Sequence, residues 1–388
     1  MKKNQNNFLG CALLSIILLI CVACNSNSTV KNLEVISIQE NLVVLDTLVI
    51  KIPDSVAALP TYLVYDLILD DDSNRFVGYN PQSHSLDIFD LANQEYIRTI
   101  PLQKQGPDEI PSIVALSLGS KDDVYLLGDN EIQLVDITNG MIIWKYNING
   151  KRSLSDDLAN YQIFTPDNQG FFFHQESKKI FAVGYHNDIN SCTPEFFGKE
   201  NKLVVEIDYS KDSVSEKLLN ITYPKTATKS YQSFLQYPYL RTSGDGILIS
   251  FPFSESVYLF NLADRSYQSL LETNNEQNGI PFADCQSPEA QFEHLFNSIH
   301  FGSVLSLNSH KLYVRPVWTP KQGEPGSFNK LFRIYNSTFS SSKEIEGNWD
   351  FMPQAVQSDG EHIYMPMLDN AKGIINEDSF YLIKLGII

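Results

Sequence analysis

Basic residues, cysteine and histidine are all scarce in this sequence. Its 388 residues include 29 lysines and arginines against 46 aspartates and glutamates, with only 5 cysteines and 7 histidines. A formal net charge of −17 argues against a nucleic-acid partner, because phosphate binding needs clustered basic side chains. Five cysteines in so long a chain do not make a disulfide scaffold. The hydrophobic content of 43% is ample for a core, so a disordered chain is also excluded.

Recognisable catalytic motifs are missing as well. The histidines are scattered, and none forms a His-x-x-x-His pair of the kind found in zinc sites. The sequence has no Gly-x-Ser-x-Gly nucleophile elbow, phosphate loop or dinucleotide fingerprint. The acidic run at 70–74 lacks the alternating spacing and the distal glutamate of an EF-hand calcium loop. We therefore expect no metal and no cofactor, and the sequence leans away from an enzyme.

The amino-terminal segment has the form of a bacterial export signal. Two lysines at positions 2 and 3 precede an apolar run at 8–20, as in a secretory signal peptide. Residues 22–24 read Val-Ala-Cys, which is similar to the end of a lipobox, although Cys21 stands where leucine is usual. The apolar run is short for a transmembrane helix, which needs about 20 apolar residues.

From this segment we predict three parts of the chain. Residues 1–23 are a lipoprotein signal peptide, residues 24–32 are a tether, and residues 33–388 form the folded domain. Cys24 anchors the protein to a membrane, because several acyl chains on one residue bind a bilayer stably. The alternatives are a plain signal peptide that is cleaved after Ala23 and an uncleaved anchor.

The body of the chain repeats one pattern. Short β-branched and aromatic runs alternate with clusters of Asp, Asn, Gly, Ser and Pro, which are strand and turn signals. A run of the form polar-apolar-x-apolar-apolar-Asp/Asn recurs along the chain, with its closing Asp or Asn at residues 90, 136, 208, 261 and 336, and a sixth copy ends with Lys384 at that position. The closing Asp or Asn is expected to cap the backbone of the turn that follows. A second run precedes each copy, at 75–79, 123–127, 170–174, 246–250, 311–315 and 362–366.

This repeat predicts an all-β fold, a six-bladed β-propeller of four-stranded blades. The shortest spacings between copies, 46 and 48 residues, are close to the length of one blade. The last copy ends at Ile388, which leaves no room for a fourth strand in the final blade. An N-terminal strand, at 42–45 or 48–52, can fill that place and close the ring. A pair of β-sandwiches and a seven-bladed ring are the alternatives.

Several of these runs also resemble a known family. The stretch at 69–76, the Ser-Leu-Asp-Ile-Phe-Asp run at 85–90 and the Gln-Gly-Pro-Asp-Glu-Ile step at 105–110 are similar to the six-bladed propeller lipoproteins of the Bacteroidetes, and within them to domain of unknown function family 4221. The resemblance covers essentially all of the mature chain and implies a propeller with no established activity. In that group, surface export goes with acidic residues just after the lipidated cysteine. Residues 25–28 read Asn-Ser-Asn-Ser, so the resemblance implies an outer-membrane protein that faces the periplasm.

Long loops are predicted on one face of the propeller only. Insertions at 175–201, 223–238, 272–299, 316–329 and 367–378 share the face that carries the second-to-third-strand loops and the connections between blades, whereas the turns on the opposite face are short. Long loops on a rigid scaffold commonly carry binding sites. The alternative is that these loops only cover the mouth of the channel.

Eight residues on that face are candidate ligand contacts. The aromatic ones could stack on a sugar, the arginines could hold an anion, and the two acids follow a rigid Gly-Pro step. They are Asp108, Glu109, Tyr239, Arg241, Arg315, Trp318, Trp349 and Tyr364. The alternatives are blade packing for the aromatic residues, an acidic partner for Arg315 and turn capping for the two acids.

Cys192 and Cys285 lie in long loops of the same predicted face. They are either two free thiols or a disulfide, which requires their Cα atoms to lie within about 7 Å.

The function that these observations favour is binding. We expect a lipid-anchored envelope protein whose long-loop face binds a glycan, a peptide or an envelope protein, with no nucleic acid. A propeller hydrolase or lyase that acts on an extracellular polysaccharide is the alternative, and a structural assembly partner is a third possibility.

Overall fold

The computed structural model describes most of the chain after the tether. It covers residues 38–388 apart from 55, 57–58, 60–61, 71–72, 107–108, 111, 130, 149–159, 166–167, 210–213, 225–226, 228, 245, 274–278, 325, 348–354 and 368–378. The predicted signal peptide, the lipidation site Cys24 and the tether lie outside the described residues.

Strands dominate the described secondary structure. In chain order they are β1 (Leu42–Lys51), β2 (Tyr65–Asp70), β3 (Ser73–Asn80), β4 (Ser85–Asp90), β5 (Glu95–Pro101), β6 (Ile113–Leu118), β7 (Asp123–Gly128), β8 (Glu131–Asp136), β9 (Met141–Asn147), β10 (Tyr161–Ile163), β11 (Phe171–His174), β12 (Lys179–His186), β13 (Val204–Asp208), β14 (Ser215–Leu218), β15 (Tyr239–Ser243), β16 (Gly246–Phe251), β17 (Ser254–Asn261), β18 (Tyr267–Leu271), β19 (His300–Phe301), β20 (Leu305–Leu307), β21 (Leu312–Pro320), β22 (Phe328–Asn336), β23 (Ser342–Glu346), β24 (Gln357–Ser358), β25 (Ile363–Pro366) and β26 (Ser379–Ile387).

Helices are few and short in the described part of the chain. One α-helix, α1, runs over Pro288–Asn297. Short 3₁₀ helices lie at Asn168–Gly170, Pro194–Phe197, Ser233–Gln236, Phe282–Asp284 and Asn308–His310.

The strands form successive four-stranded antiparallel units. Two sheets have the simple orders β6-β7-β8-β9 and β15-β16-β17-β18. In two others, a pair of short strands shares the first position: β10 and β11 both pair with β12, and β19 and β20 both pair with β21. An eight-stranded sheet, β2-β3-β4-β5-β1-β26-β25-β24, divides into two such units where β5 meets β1. Consecutive four-stranded units are the architecture of a β-propeller.

The hydrophobic core lies between neighbouring units. Val77 and Ile88 of the first unit pack with Val124 and Val135 of the second, and comparable clusters join each later unit to the next. One cluster, around Phe76 and Phe380, joins the last strands of the chain to the first. Middle strands are buried on both faces for this reason, as in β4 and β8, whereas the outer strand β9 alternates between exposed and half-buried positions.

The predicted turn caps are confirmed in four copies of the repeat. Asp90, Asp136, Asn261 and Asn336 each accept a hydrogen bond through Oδ1 from a backbone N–H two to four residues later, over 2.6–2.9 Å. The short side chain thereby satisfies a donor in the turn between the third and fourth strands.

The N-terminal strand pairs with the last strand of the chain. A single strand, β1, covers both of the predicted segments and runs antiparallel to β26 from Leu42↔Ile387 to Lys51↔Ser379, with a register shift between Val44 and Asp46. It therefore occupies the outer position of the unit β24-β25-β26-β1.

One strand prediction is wrong in the third unit. The run at 170–174 was predicted to match the second strand of the other units, but Phe171–His174 pairs with β12 in the first position, beside β10. The second strand is instead Lys179–His186, so the predicted insertion at 175–201 begins only after His186. An apolar run of four residues signals a strand without showing its place in the sheet.

Long connections share one end of the units. The connections that follow β12, β14, β18, β21, β23 and β25 all leave their strands at this end, which we call the long-loop face. The predicted insertion at 316–329 is shorter than expected, because β21 extends to Pro320 and β22 starts at Phe328. The turns that follow the first strand of each unit lie at the other end, which we call the short-turn face.

Candidate functional site

One cavity in the described structure is lined by residues from the first position of every four-stranded unit. It has a volume of about 590 Å³. Each unit contributes at least one polar side chain to the lining. We call six of them, one from each unit, the polar belt: Asp66, Ser117, Asn168, Arg241, Ser306 and Gln357. Asn168 belongs to the 3₁₀ helix that joins β10 to β11. The strands converge here because each unit packs its faces on its neighbours, which leaves the first strands around a common centre.

Hydrogen bonds within the polar belt tie neighbouring units together. Asp66 accepts a hydrogen bond from the backbone N–H of Leu118 over 2.9 Å. Asn168 accepts one from the N–H of Leu116 over 2.6 Å and donates one to the carbonyl oxygen of Tyr65 over 2.7 Å. These bonds fix the side chains in place, so the cavity is preformed.

Charge in the cavity is asymmetric. Two acids, Asp66 and Asp359, line it, and Arg241 is the one cation among its lining residues, all of which are described. Burial raises the pKa of Asp66 above its ordinary value, although the N–H groups of Leu118 and Leu67 and the charge of Arg241 oppose the rise. The rest of the lining combines hydroxyl and amide groups with apolar side chains from Phe171–His174 and its neighbours. In this wall, Arg241 can pair with one carboxylate of a ligand, and the hydroxyl and amide groups can bind ligand hydroxyls.

The cavity lies towards the short-turn face. Gln175, Asn308, Asp359 and Gly360 line it, and all four belong to turns that follow the first strands. The sequence predicted a site on the long-loop face, so this cavity is at the opposite end of the units from the predicted one.

Of the eight predicted ligand contacts, the structure places only Arg241 in this cavity. Asp108 and Trp349 lie outside the described residues. The side chain of Glu109 is exposed, and its carbonyl oxygen accepts a hydrogen bond from Gln133 over 3.0 Å.

The prediction that Arg315 holds an anionic ligand is wrong. It is fully buried, and its guanidinium donates to the carbonyl oxygens of Gly302, Glu255 and Phe251 over 2.8, 2.8 and 3.0 Å. It also lies 4.9 Å from the ring centroid of Phe301. Burial lowers the pKa of Arg315 to about 10. A ligand has no access to this side chain, which instead fastens β21 to the preceding unit.

The three described aromatic candidates are not among the residues that line the cavity. Trp318 is half-buried beside His300 and Phe328, with the Lys330 ammonium 4.9 Å from its ring centroid. Tyr364 is buried and donates its hydroxyl to Asp359 Oδ2 over 3.0 Å, which places it behind the cavity wall. Tyr239 is half-buried at the start of β15.

The two cysteines of the folded domain form a disulfide in the structure. Cys192, in the loop at 187–203, is bonded to Cys285, which precedes α1, and their Cα atoms are 5.7 Å apart. The bond joins two loops of the long-loop face.

Replacing Cys192 by serine should reduce stability. The bond closes a sequence separation of 93 residues, so its loss is expected to lower the free energy of unfolding by about 2–4 kcal/mol, as for cross-links that restrict the unfolded chain. Urea unfolding of the oxidised protein and of Cys192→Ser would measure the difference. Peptide mapping of the unreduced protein should recover Cys192 and Cys285 linked, and quantitative alkylation of both thiols would contradict the disulfide.

A second cavity, of about 430 Å³, lies on the long-loop face beside α1. Asp284, Ser287 and Glu293 are among its lining residues, together with the buried His294. Neither ring nitrogen of His294 has a hydrogen-bond partner among the described residues. Burial and the neighbouring His300 lower the pKa of His294 to about 4, so the ring is neutral at physiological pH.

Metal ligands do not cluster in the described ranges: no three His, Cys, Asp or Glu side chains come together as a metal site would require. Of the helices in the part that the structure describes, none has the length and apolar character to cross a membrane.

Sequence reasoning missed five members of the polar belt. The signal in the sequence is weak: a polar residue beside apolar neighbours, as with Asp66 in the Tyr-Asp-Leu-Ile-Leu-Asp of β2 and Ser117 in the Ile-Val-Ala-Leu-Ser-Leu of β6. The repeat lies in the second and third strands, and the first strands share no comparable pattern that would bring these residues into register.

Comparison with solved structures supports the fold. A member of the family of domain of unknown function 4221 from Bacteroides vulgatus has a TM-score of 0.69 with this chain at 14% identity, covering 90% of this chain and 98% of its own. A “putative exported protein” of Bacteroides fragilis has a TM-score of 0.53 at 11% identity, covering 90% and 95%. Identities this low show a shared fold alone.

Sequence comparison identifies the family directly. No curated protein matches the chain. The profile of domain of unknown function 4221 matches residues 36–317, which is well over half of the sequence. The chain therefore belongs to the family of domain of unknown function 4221.

Proposed function

We propose that this protein is an envelope-anchored binding protein whose central cavity holds a small acidic sugar. The observation that carries the proposal is the polar belt, in which Arg241 is the one cation, together with the acid Asp66 and four hydroxyl or amide side chains. Arginine binds carboxylates through two parallel hydrogen bonds, and amides and hydroxyls match the hydroxyl groups of a sugar. A volume of about 590 Å³ is in the range of small-molecule sites.

The architecture that holds this site is a six-bladed propeller. Counting the eight-stranded sheet as two blades gives six units of four strands, with β1 as the outer strand of the last blade. The pairing of β1 with β26 and the core cluster around Phe76 and Phe380 support a ring closed by the N-terminal strand.

The location that fits this role is the periplasmic side of the outer membrane, with attachment through a lipid on Cys24. The lipobox-like end of the signal segment and the absence of acids at 25–28 support it. The likeness to a “putative exported protein” of Bacteroides fragilis agrees with export.

Binding of uronic-acid oligosaccharides to the full-length protein would test the proposal by calorimetry. Arg241→Gln should weaken affinity about 10- to 100-fold, because a hydrogen-bonded charge pair contributes about 1.5–3 kcal/mol. Lys330→Gln, a cation outside the cavity lining, should leave affinity unchanged. The neutral methyl esters should bind the unaltered protein as weakly as the acids bind Arg241→Gln.

A second, more conservative variant covers the case in which Arg241→Gln fails to fold. Ser306→Ala removes one half-buried hydroxyl of the polar belt and should weaken affinity about 5-fold, as loss of one hydrogen bond does. Equal affinity of all variants, or of acids and methyl esters, would overturn the proposal. Release of shorter oligosaccharides during the titration would point instead to the alternative hydrolase or lyase.

A further inference from the structure

We propose that the exposed face of α1 binds a basic segment of a partner protein, with two arginine side chains lying over two phenylalanine rings. This face comprises Glu289, Phe292, Glu293 and Phe296, and we call it the α1 surface. It lies on the long-loop face, away from the residues that line the central cavity, so the proposal is independent of the sugar site.

The orientation of α1 is fixed by contacts on its inner side. Ser287 caps the helix by accepting a hydrogen bond from the N–H of Ala290 over 3.2 Å, and Pro288 occupies the first helical position. Gln291 donates to the carbonyl oxygen of Cys285 over 2.6 Å, next to the disulfide. His294 is buried on the same inner side. These contacts leave the opposite side of the helix to face solvent.

Two large aromatic rings are exposed on that opposite side. Phe292 retains 53% of its surface and Phe296 retains 41%. Their ring centroids are 6.3 Å apart and their planes differ by 17°. The two exposed rings form a small apolar patch on the helix, which a partner can cover.

A glutamate lies next to each of the two phenylalanines on α1. The helix reads Glu-Ala-Gln-Phe at 289–292 and Glu-His-Leu-Phe at 293–296, so a glutamate stands three residues before each phenylalanine. Residues three apart are neighbours on a helix surface. Both glutamates are exposed, and α1 carries no lysine or arginine. Each acid and ring together can therefore attract one cation, by ion pairing and by contact with the ring face.

The distance between the two rings and the negative charge of the α1 surface indicate what kind of partner would fit. Alternate residues of an extended chain are about 6.7 Å apart, which matches the 6.3 Å between the ring centroids. An Arg-x-Arg segment would place one guanidinium over each ring, and arginine stacks on rings better than lysine does. A second copy of this acidic chain and an anionic membrane would both bring like charge to the α1 surface.

Synthetic peptides test the proposal with the full-length protein. Gly-Arg-Gly-Arg-Gly should bind with a dissociation constant below about 1 mM, and Gly-Glu-Gly-Glu-Gly should not bind. Glu289→Gln combined with Glu293→Gln should weaken affinity about 10-fold, because two exposed ion pairs contribute a few-fold each. The matched control, Glu95→Gln combined with Glu346→Gln, removes the same charge from exposed positions elsewhere and should leave affinity unchanged.

A second variant measures how much the rings contribute to binding, apart from the acids. Phe292→Ala combined with Phe296→Ala should weaken the arginine peptide at least 5-fold and should leave the melting temperature unchanged, because both rings are exposed. The proposal is overturned if the arginine peptide does not bind, if the control variant weakens it equally, or if the phenylalanine variant binds normally. Binding of anionic vesicles through these rings would overturn it as well.

Discussion

Arg315→Ala is expected to lower the free energy of unfolding by about 3–5 kcal/mol, because it leaves three buried carbonyl oxygens without a donor and opens a cavity between two blades. The carbonyl groups belong to Phe251, Glu255 and Gly302, on both sides of the contact that Arg315 fastens. Urea unfolding would give the difference directly.

Arg98→Ala provides the matched control for this variant. Arg98 also donates to two backbone carbonyl oxygens, those of Ile137 and Thr138, but at a half-buried position. Its loss should cost about 1 kcal/mol, the usual net contribution of such hydrogen bonds. If both variants lost the same small amount of stability, Arg315 would be accessible, and its predicted role in anion binding would be open again.

Ile50→Asp is expected to destabilise the protein by about 4–5 kcal/mol or to prevent folding, because it buries an unpaired carboxylate in the strand that completes the last blade. Ile50 is fully buried in the cluster that includes Phe76 and Phe380, and it pairs with Phe380 across β1 and β26. The melting temperature and the urea midpoint would both report the loss.

Val49→Asp is the control, one residue away on the same strand. Val49 points to the opposite face of β1 and is 39% exposed, so the same charge should change stability by less than about 1 kcal/mol. Equal effects of the two substitutions would show that β1 does not hold this register, and the ring would then be closed differently.

Much of the fold was predictable because the repeat marks the middle of each blade. The second and third strands are buried on both faces, so they carry near-continuous apolar runs, and the capping Asp or Asn adds a fixed end point. The third blade was misread because its first strand is interrupted by the 3₁₀ helix Asn168–Gly170, which left an apolar run at Phe171–His174 that looks like a second strand.

The site was less predictable because its residues are far apart in sequence. Asp66 and Gln357 line one cavity although 291 residues separate them, and a polar residue in a strand gives no local sign of its partners. For Arg315 the error is the opposite one, because a residue outside the site was predicted to belong to it. Its chemistry suggested a ligand, but its three acceptors are backbone carbonyls, which leave no trace in the sequence.

A crystal structure of the full-length protein with a bound uronic-acid disaccharide would test the central claim most directly. We predict that the sugar occupies the cavity lined by the first strands, with its carboxylate within hydrogen-bond distance of the Arg241 guanidinium and its hydroxyls paired with Asp66, Ser306 or Gln357. A sugar bound only at the long-loop face, or a central cavity that stays free of sugar at saturating concentration, would contradict the account.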